Sequence, residues 1–522
     1  MRFLLLFSAF WFTGAVVANT LPASGLTSRQ EPVNATVDAT ALNATIDPTA
    51  ETAMRTASTS HGSQVSFKRT TVCETTSGAR AYSGYIRLPA DKLSSRNANP
   101  ERQLTVWLNG GSGSSSLSGP FEENGGPCRV NNDSETTTLN PWSWNEHSDM
   151  LYIDQPNQFG FSYDTLVNSS LTMTANGQHI DSLEGVQPVP EMNATFYTGK
   201  LPSQVVENTA NTTAIAAETM WHLLQGWTEG FPHHRRRRGD KLSIWSESYG
   251  GKYGTAIATF INRQNARIHA NTLRGTILPL ETLGIINGCV DLIQGDFLAQ
   301  QAYSNVYDTP IFSTPKFASA NASNALDFCS YTMFGSYLAT RMASLHDIAA
   351  PPPTPVYVLE DLGVPVNSTV SSFTSFLVFR STGDSGRAGS VGEPADLLDA
   401  ELKVSMLYGD RDFICNWLGG EALSLGLSHQ GAAQFRVAGY ADVMVGGVRR
   451  GKVRQHGNLS FTRVFDAAHR LPFYRPLTAS ALFARCQTAA ARGGEAAVLC
   501  STSAGVHGAG MGGRLMIDDS FS

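Results

Sequence analysis

The chain contains 522 residues, of which 42% are hydrophobic and 16% are charged. This balance is typical of a folded protein with a large core and argues against a disordered, collagen-like or polytopic membrane protein. The 38 basic and 44 acidic residues give a net charge of −6, so the overall charge does not favour nucleic acid as a partner.

The N-terminus has the pattern of a secretory signal peptide. Arg2 supplies a positive charge, an apolar run covers residues 3–12, and small residues lead to an expected cleavage after Ala18. The run is too short to span a bilayer, which needs roughly 20 apolar residues. We therefore expect a signal peptide over 1–18 and no membrane partner. The expected destination is the medium, with a vacuole as the alternative.

Residues 19–68 are rich in Thr, Ser, Ala and Asn and have little periodic apolar content. This composition predicts a leader or propeptide, so the folded domain is expected over 69–522. Sequons agree with secretion and predict N-glycans at Asn34, Asn43, Asn132, Asn168, Asn193, Asn211, Asn321, Asn367 and Asn458.

The seven cysteines include no Cys-x-x-Cys pair and no histidine at zinc-ligand spacing. We therefore expect no metal site, and no other motif indicates a cofactor. In a secreted chain the cysteines are expected to form disulfides, and the odd number leaves at least one thiol outside an intrachain pair.

Short apolar runs bounded by Gly, Asn or Asp predict strands at 104–108, 150–153, 242–245, 283–286 and 404–408. Apolar periodicity predicts helices over 206–225 and 254–266. Strands that are apolar on both faces and alternate with helices are typical of a mostly parallel sheet covered on both faces.

Three other regions complete the prediction. Residues 435–437, 443–445 and 452–455 are predicted to be strands joined by tight turns. The polar, Pro-rich and Gly-rich stretch at about 292–398 predicts an inserted cap or lid. The basic run at 233–238 is interpreted as a solvated loop rather than a binding site.

The strand at 242–245 leads directly into Ser246-Glu247-Ser248-Tyr249-Gly250 and then into a helix. This is the strand-turn-helix context of a nucleophile elbow, with Ser248 as the nucleophile and Ser246 in place of the first Gly of G-x-S-x-G. The pentapeptide alone is also compatible with a polar turn. A hydrolase of this type needs an acid and then a histidine later in the chain.

Both groups are present in that order. The strand at 404–408 is followed by Asp410 and Asp412, and His469 follows a further apolar run. The residues themselves do not distinguish between the two aspartates.

Seven motifs in one order resemble the serine carboxypeptidase family over roughly residues 73–490, and most of all its secreted fungal branch. They are WLNGGSGSSS at 107–116, NPWSWN at 140–145, IDQP at 153–156 with GFSY at 160–163, ESYGG at 247–251, GIING at 284–288, YGDRDFICNW at 408–417 and HRLP at 469–472. The resemblance implies an α/β-hydrolase fold and a serine-type carboxypeptidase that acts on peptide C-termini at acidic pH through an acyl-enzyme.

The resemblance also implies residue roles. It makes Ser248 the nucleophile, His469 the general base and Asp412 its partner, and it leaves Asp410 as a structural turn residue. The backbone N–H groups of Gly111 and Tyr249 would form the oxyanion hole.

Four further residues match those that hold the substrate carboxylate in the family, namely Asn109, Gly110, Glu123 and Glu247, whereas Glu122 is interpreted as an ordinary loop acid. Two glutamates can hold a carboxylate only if a proton is shared, which implies that affinity falls as pH rises.

Ile414 and Cys415 match positions that line the pocket for the residue before the scissile bond. On that basis Cys415 is expected to be the free thiol, and Cys73 with Cys128 is the expected disulfide.

Some residues depart from the family pattern. Ser112 replaces a Pro in the Gly-rich loop, Lys252 stands where His is frequent, and the cap looks shortened. Two alternative functions therefore stay open at this point. One is an acyltransferase or esterase on the same scaffold, and the other is a catalytically weak peptide-binding protein.

Overall fold

The computed structural model describes residues 53–60, 62–70, 81–88, 104–124, 128–130, 137–155, 157–158, 160–174, 177–186, 188–189, 191, 196–232, 241–290, 379, 381–384, 392–488 and 514–515. The predicted signal peptide and the basic run at 233–238 lie outside these residues, as does Cys73. Most of the predicted cap does too.

The strands, in chain order, are β1 Arg55–Ser58, β2 Gln64–Thr70, β3 Ala81–Arg87, β4 Leu104–Leu108, β5 Cys128–Val130, β6 Thr137–Leu139, β7 Asp149–Tyr152, β8 Leu166–Thr174, β9 Gly177–Ser182, β10 Phe196–Pro202, β11 Leu242–Glu247, β12 Leu280–Ile286, β13 Lys403–Gly409, β14 Ala441–Val445, β15 Val448–His456, β16 Leu459–Val464 and β17 Arg514–Leu515. The α-helices are α1 Ser118–Glu122, α2 Thr213–Gly230, α3 Gly250–His269, α4 Gly392–Asp399, α5 Trp417–Gly426, α6 Ala432–Val437, α7 Leu471–Tyr474 and α8 Pro476–Thr488, with short 3-10 turns at Trp144–Glu146 and Val206–Asn208.

A nine-stranded sheet forms the centre of the molecule, in the order β17-β14-β15-β16-β13-β12-β11-β4-β7. The six strands from β16 to β7 run parallel to one another, and β15 runs antiparallel between β14 and β16. The mostly parallel sheet predicted from the apolar runs is therefore present. Its parallel strands bring the loops after β4, β11, β12 and β13 to one edge.

Both faces of this sheet are buried by packed side chains. Successive residues of a strand point to opposite faces and therefore enter different cores. In β11, Ile244 packs into the core beneath α2 and α3, whereas Trp245 joins a second core with Trp107 and Trp144. Phe483 of α8 stacks on Trp144 at 4.1 Å between ring centroids. These two layers hold the loop edge of the sheet in place from both sides.

The fold begins earlier than the predicted boundary at residue 69. Strands β1 and β2 form a three-stranded antiparallel sheet with β3. Val65 and Phe67 are buried, and Phe67 contacts Phe231 at the end of α2 with ring centroids 5.2 Å apart. The C-terminal part of the predicted leader is therefore part of the folded protein, because its alternating apolar residues cover α2.

Two other predictions need correction. Residues 435–437 belong to helix α6 rather than to a strand. The last residues of the predicted cap form α4, whose Ala395 and Leu397 are buried in the core against α3, so this end belongs to the sheet-covering layer. Within the described residues, no helix is long and apolar enough to cross a membrane.

Candidate active site

Ser248 lies at the turn between β11 and α3 with a φ of 62°, a left-handed conformation that L-residues seldom adopt. Its N–H donates to the Ile286 carbonyl at 3.1 Å. Its own carbonyl accepts from the N–H groups of Gly251 and Cys289, both at 2.9 Å. Hydrogen bonds to the end of β12, to the loop after it and to the first turn of α3 therefore hold the strained turn at Ser248.

Ser246 shows how the elbow accommodates a side chain at the position of the first Gly of G-x-S-x-G. Ser246 is fully buried, and a Cβ atom at Gly254, one turn into α3, would collide with its Oγ. The lack of a side chain at Gly254 therefore leaves the space that the Ser246 side chain occupies. A small hydroxymethyl group fits there without moving the strand.

The Gly-rich loop after β4 runs directly against this turn. A Cβ atom at Gly110 would collide with the Tyr249 nitrogen and lie 2.7 Å from Ser248 Cβ. Gly111 has a φ of 115°, and the Gly110 carbonyl accepts from the N–H groups of Gly113 and Ser114, both at 3.0 Å. The backbone of this loop therefore lies beside the backbone of the turn at Ser248.

His469 and Asp412 form a buried hydrogen-bonded pair. His469 Nδ1 lies 2.7 Å from Asp412 Oδ2, and the two residues are 4% and 0% exposed. The same carboxylate oxygen accepts from Asn287 Nδ2 at 2.6 Å, and Oδ1 accepts from the Ile414 N–H at 3.1 Å. When Nδ1 carries the proton donated to Asp412, Nε2 is the acceptor nitrogen of the ring.

Asp410 has a different environment in the same loop. Its carboxylate pairs with Arg463 at 3.3 Å and accepts from the Asp466 N–H at 2.9 Å. These contacts join the loop after β13 to the end of β16.

A second buried cluster contains the residues expected to hold a carboxylate. Asn109 Nδ2 donates to Glu123 Oε1 at 3.2 Å and to Glu247 Oε1 at 3.4 Å. Trp107 Nε1 donates to Asn109 Oδ1 at 2.7 Å and so fixes the orientation of the amide. Glu123 Oε2 and Glu247 Oε2 are buried and accept no hydrogen bond from another residue in the described part of the chain, and the two carboxyl groups can share a hydrogen bond when one of them is protonated.

The environment of Glu247 favours its protonated form. Burial and the nearby Glu123 carboxylate raise the pKa of Glu247 well above its ordinary value, and the positive charge of Arg470 opposes this shift. A protonated carboxyl group in this pair can donate a hydrogen bond to a third carboxylate, which only accepts.

Cys415 is not the free thiol. Its sulfur is bonded to Cys289 in a disulfide that joins the loops after β12 and β13. Cys128 also forms a disulfide, with a partner outside the described residues, so its pairing with Cys73 stays a prediction. Cys415 is fully buried and Ile414 is 8% exposed. A role for Ile414 in the substrate pocket stays a prediction.

Asp412, Cys415 and His469 bring three possible metal-ligand atoms within 4.8 Å of one another. The disulfide removes the thiolate that Cys415 would need to bind a metal ion.

Asn287 is a site residue to which the sequence alone assigned no role. Its Nδ2 supports Asp412, and its Oδ1 accepts from the Gly409 N–H at 3.0 Å. The sequence does contain one indication of a role. Asn287 directly follows the buried strand β12, which pairs with β13, and Asp412 lies in the loop after β13.

The chain matches the family model for serine carboxypeptidases over residues 73–347 and 356–488. The chain belongs to the serine carboxypeptidase family. Its enzyme class is therefore that of a serine-type carboxypeptidase, a hydrolase.

Relatives within the serine carboxypeptidase family agree with this assignment. The chain is 38% identical to carboxypeptidase S1 homolog A of Arthroderma otae, over 81% of this chain and 75% of the relative. It is 29% identical to carboxypeptidase S1 of Penicillium janthinellum, over 80% and 97% of the two chains.

A solved structure supports the fold. A prohormone-processing carboxypeptidase from Saccharomyces cerevisiae is similar with a TM-score of 0.56 and 18% identity, over 81% of this chain and 86% of that chain. Together with the sheet order, this similarity shows the α/β-hydrolase fold.

Proposed function

We propose that this serine carboxypeptidase removes residues from peptide C-termini at acidic pH through an acyl-enzyme on Ser248. The observation that carries the proposal is the Asn109–Glu123–Glu247 cluster, because Glu247 directly precedes Ser248 and so lies beside the proposed nucleophile. A buried site that can receive a carboxylate next to a nucleophile suits an exopeptidase.

The proposed acylation step uses three side chains. His469 Nε2 takes the proton from Ser248 Oγ as the oxygen attacks the last peptide carbonyl, and Asp412 stabilises the resulting imidazolium. The N–H groups of Gly111 and Tyr249 donate to the oxyanion. His469 then gives its proton to the departing amine.

In the second step, His469 takes a proton from water, which attacks the acyl-enzyme. The peptide leaves with a new C-terminus, and Ser248 regains its proton. In both steps the proton is transferred only between His469 and the reacting oxygen or nitrogen atom.

The terminal carboxylate of the substrate is proposed to bind Asn109 Nδ2, the backbone at Gly110 and the carboxyl groups of Glu123 and Glu247. A third negative charge is tolerated there only while the glutamate pair holds a proton. The raised pKa of Glu247 supports binding at acidic pH and loss of affinity as pH increases.

The test compares a blocked dipeptide with its amide and its ester at acidic pH, with and without a serine-reactive organophosphate. The expected result is release of the C-terminal residue from the free acid, blocked by the reagent and absent in Ser248→Ala. Cleavage of the ester alone would indicate an esterase or acyltransferase. No turnover and no labelling would indicate a catalytically weak peptide-binding protein.

A further inference from the structure

A buried carboxylate outside the Ser248–His469–Asp412 group joins the starts of the two helices beneath the site. Asp384 is 4% exposed. Its Oδ2 accepts from the Tyr249 hydroxyl at 2.8 Å, and its Oδ1 accepts from the Thr213 N–H and hydroxyl at 3.1 and 3.0 Å. One oxygen therefore faces α3 and the other faces α2.

The side of Asp384 that faces α2 is firmly held. Thr213 is the first residue of α2, where unpaired N–H groups and the helix dipole favour a negative charge. The Asp384 carbonyl also accepts from Lys252 Nζ at 3.2 Å. The Phe379 ring stands edge-on to Tyr249 at 6.1 Å between ring centroids. The helix dipole and the hydrogen bonds thus fix Asp384 in position, and Phe379 packs against the tyrosine that Asp384 contacts.

Tyr249 connects this anchor to the nucleophile turn. It follows Ser248 and has helical backbone angles, φ −56° and ψ −16°, at the start of α3. Its backbone is constrained by the Ser248 turn, and its hydroxyl is constrained 2.8 Å from Asp384. A side chain held at its far end limits rotation of its own peptide plane, and that plane sets the direction of the Tyr249 N–H.

We propose that Asp384 is a positioning residue that aims the Tyr249 N–H at the oxyanion by holding the Tyr249 hydroxyl. The inference rests on the proposed role of the Tyr249 N–H in the oxyanion hole. Donors to an oxyanion act by being oriented before the reaction, so a small change in direction lowers the rate without weakening substrate binding.

The chain offers a matched control one helical turn away. Tyr253 is also fully buried on α3, but its hydroxyl has no hydrogen-bond partner within the described residues. Tyr249→Phe therefore removes the hydroxyl bond to Asp384, whereas Tyr253→Phe makes the same chemical change without removing such a bond.

The experiment measures kcat and KM for a blocked dipeptide in wild type, Y249F, D384N, the double variant and Y253F. Active sites are counted by organophosphate titration. We expect Y249F and D384N to lower kcat per titrated site by about tenfold, less than the roughly 10²–10³-fold loss when an oxyanion donor is deleted. KM is expected to stay within about twofold, and the double variant to be no slower than the worse single variant.

Equal kcat per titrated site in Y249F and Y253F would overturn the inference. A Y249F defect seen only as fewer titrated sites would overturn it too, because that result indicates folding alone. If D384N does not fold, the comparison of Y249F with Y253F decides. If wild type lacks peptidase activity, the proposed function fails, and slower organophosphate reaction in Y249F than in Y253F would still support the positioning role. Equal reaction rates would refute it.

Discussion

At the scale of single residues, the site depends on which of two buried aspartates in one loop contacts the histidine. Asp410 and Asp412 are two residues apart in one loop, yet it is Asp412 that lies 2.7 Å from His469 Nδ1. Asp410 instead pairs with Arg463 and holds the loop to β16. The same residue type therefore holds a histidine at one position and stabilises loop structure at the other.

This difference predicts different effects of the two Asp→Asn changes. Asp412→Asn should lower kcat about 10⁴-fold, because an amide neither stabilises the imidazolium nor favours the right His469 tautomer. Asp410→Asn should keep kcat per titrated site near wild type and lower the free energy of unfolding by about 1–3 kcal/mol, because Arg463 loses its charged partner. Kinetics and urea unfolding check both. A similar kcat loss in both variants would contradict the assignment.

Glu247 gives a prediction about pH. Its raised pKa means that it is protonated at acidic pH and loses the proton as pH rises, so KM of wild type should increase with pH. Glu247→Gln cannot ionise, and its KM should rise less steeply when measured between about pH 4 and 8. Glu218→Gln, at an exposed position on α2, is the control and should keep the wild-type profile. An unchanged profile in the Glu247 variant would refute the shared-proton explanation.

At the scale of elements, the parallel strands bring the working loops together and a disulfide joins two of them. The loop after β12 contains Cys289, whose N–H donates to Ser248, and the loop after β13 contains Cys415 and Asp412. The bond therefore links the loop that supports the turn at Ser248 to the loop whose Asp412 contacts His469.

Replacement of Cys415 by Ser should therefore expose a new thiol. In denatured, unreduced protein the variant should titrate one more thiol than wild type, because Cys289 is released. It should also lose about 2–4 kcal/mol of unfolding free energy. A free Cys415 would give the opposite result, one thiol fewer than wild type. Thiol titration and urea unfolding are the measurements.

At the scale of the whole molecule, two cores cover the central sheet and keep charged groups of the site away from water. Glu123 and Glu247 lie in this interior with exposures of 1% and 3%. Burial beside Glu123 makes ionisation of Glu247 unfavourable, so ionisation of Glu247 at higher pH costs the folded protein stability. The acidic pH proposed for activity is also the pH at which this part of the fold is least strained.

The contribution of Glu247 to the free energy of unfolding should therefore fall as pH rises. Below about pH 4.3, the ordinary glutamate pKa, Glu247 is protonated in both folded and unfolded chains. Above it, the unfolded chain releases the proton first, and the stability contributed by protonated Glu247 is lost as pH rises through its raised pKa. A tenfold difference in proton affinity between the folded and unfolded chains corresponds to about 1.4 kcal/mol. Urea unfolding at several pH values should show that the free energy of unfolding of Glu247→Gln increases relative to that of wild type as pH increases. A constant difference would contradict this.

The sequence by itself determined the parallel strands and the tight turn at Ser248, and it predicted a catalytic serine, aspartate and histidine in that order. Those features depend on local apolar runs, on small residues at a strained turn and on chain order, all of which can be read along the sequence. The strand at 104–108 was predicted with the bounds that the structure shows, because all five of its residues are apolar or small enough to be buried.

Only the tertiary structure decided the partners of groups far apart in the chain. The Cys289–Cys415 disulfide spans 126 residues, and Asn287 meets Asp412 across two strands. Strand β2 folds because it covers α2, and β1 pairs with β2, although their composition resembled a leader. Such contacts depend on how the sheet and helices pack in space, and local sequence patterns carry no information about that distance.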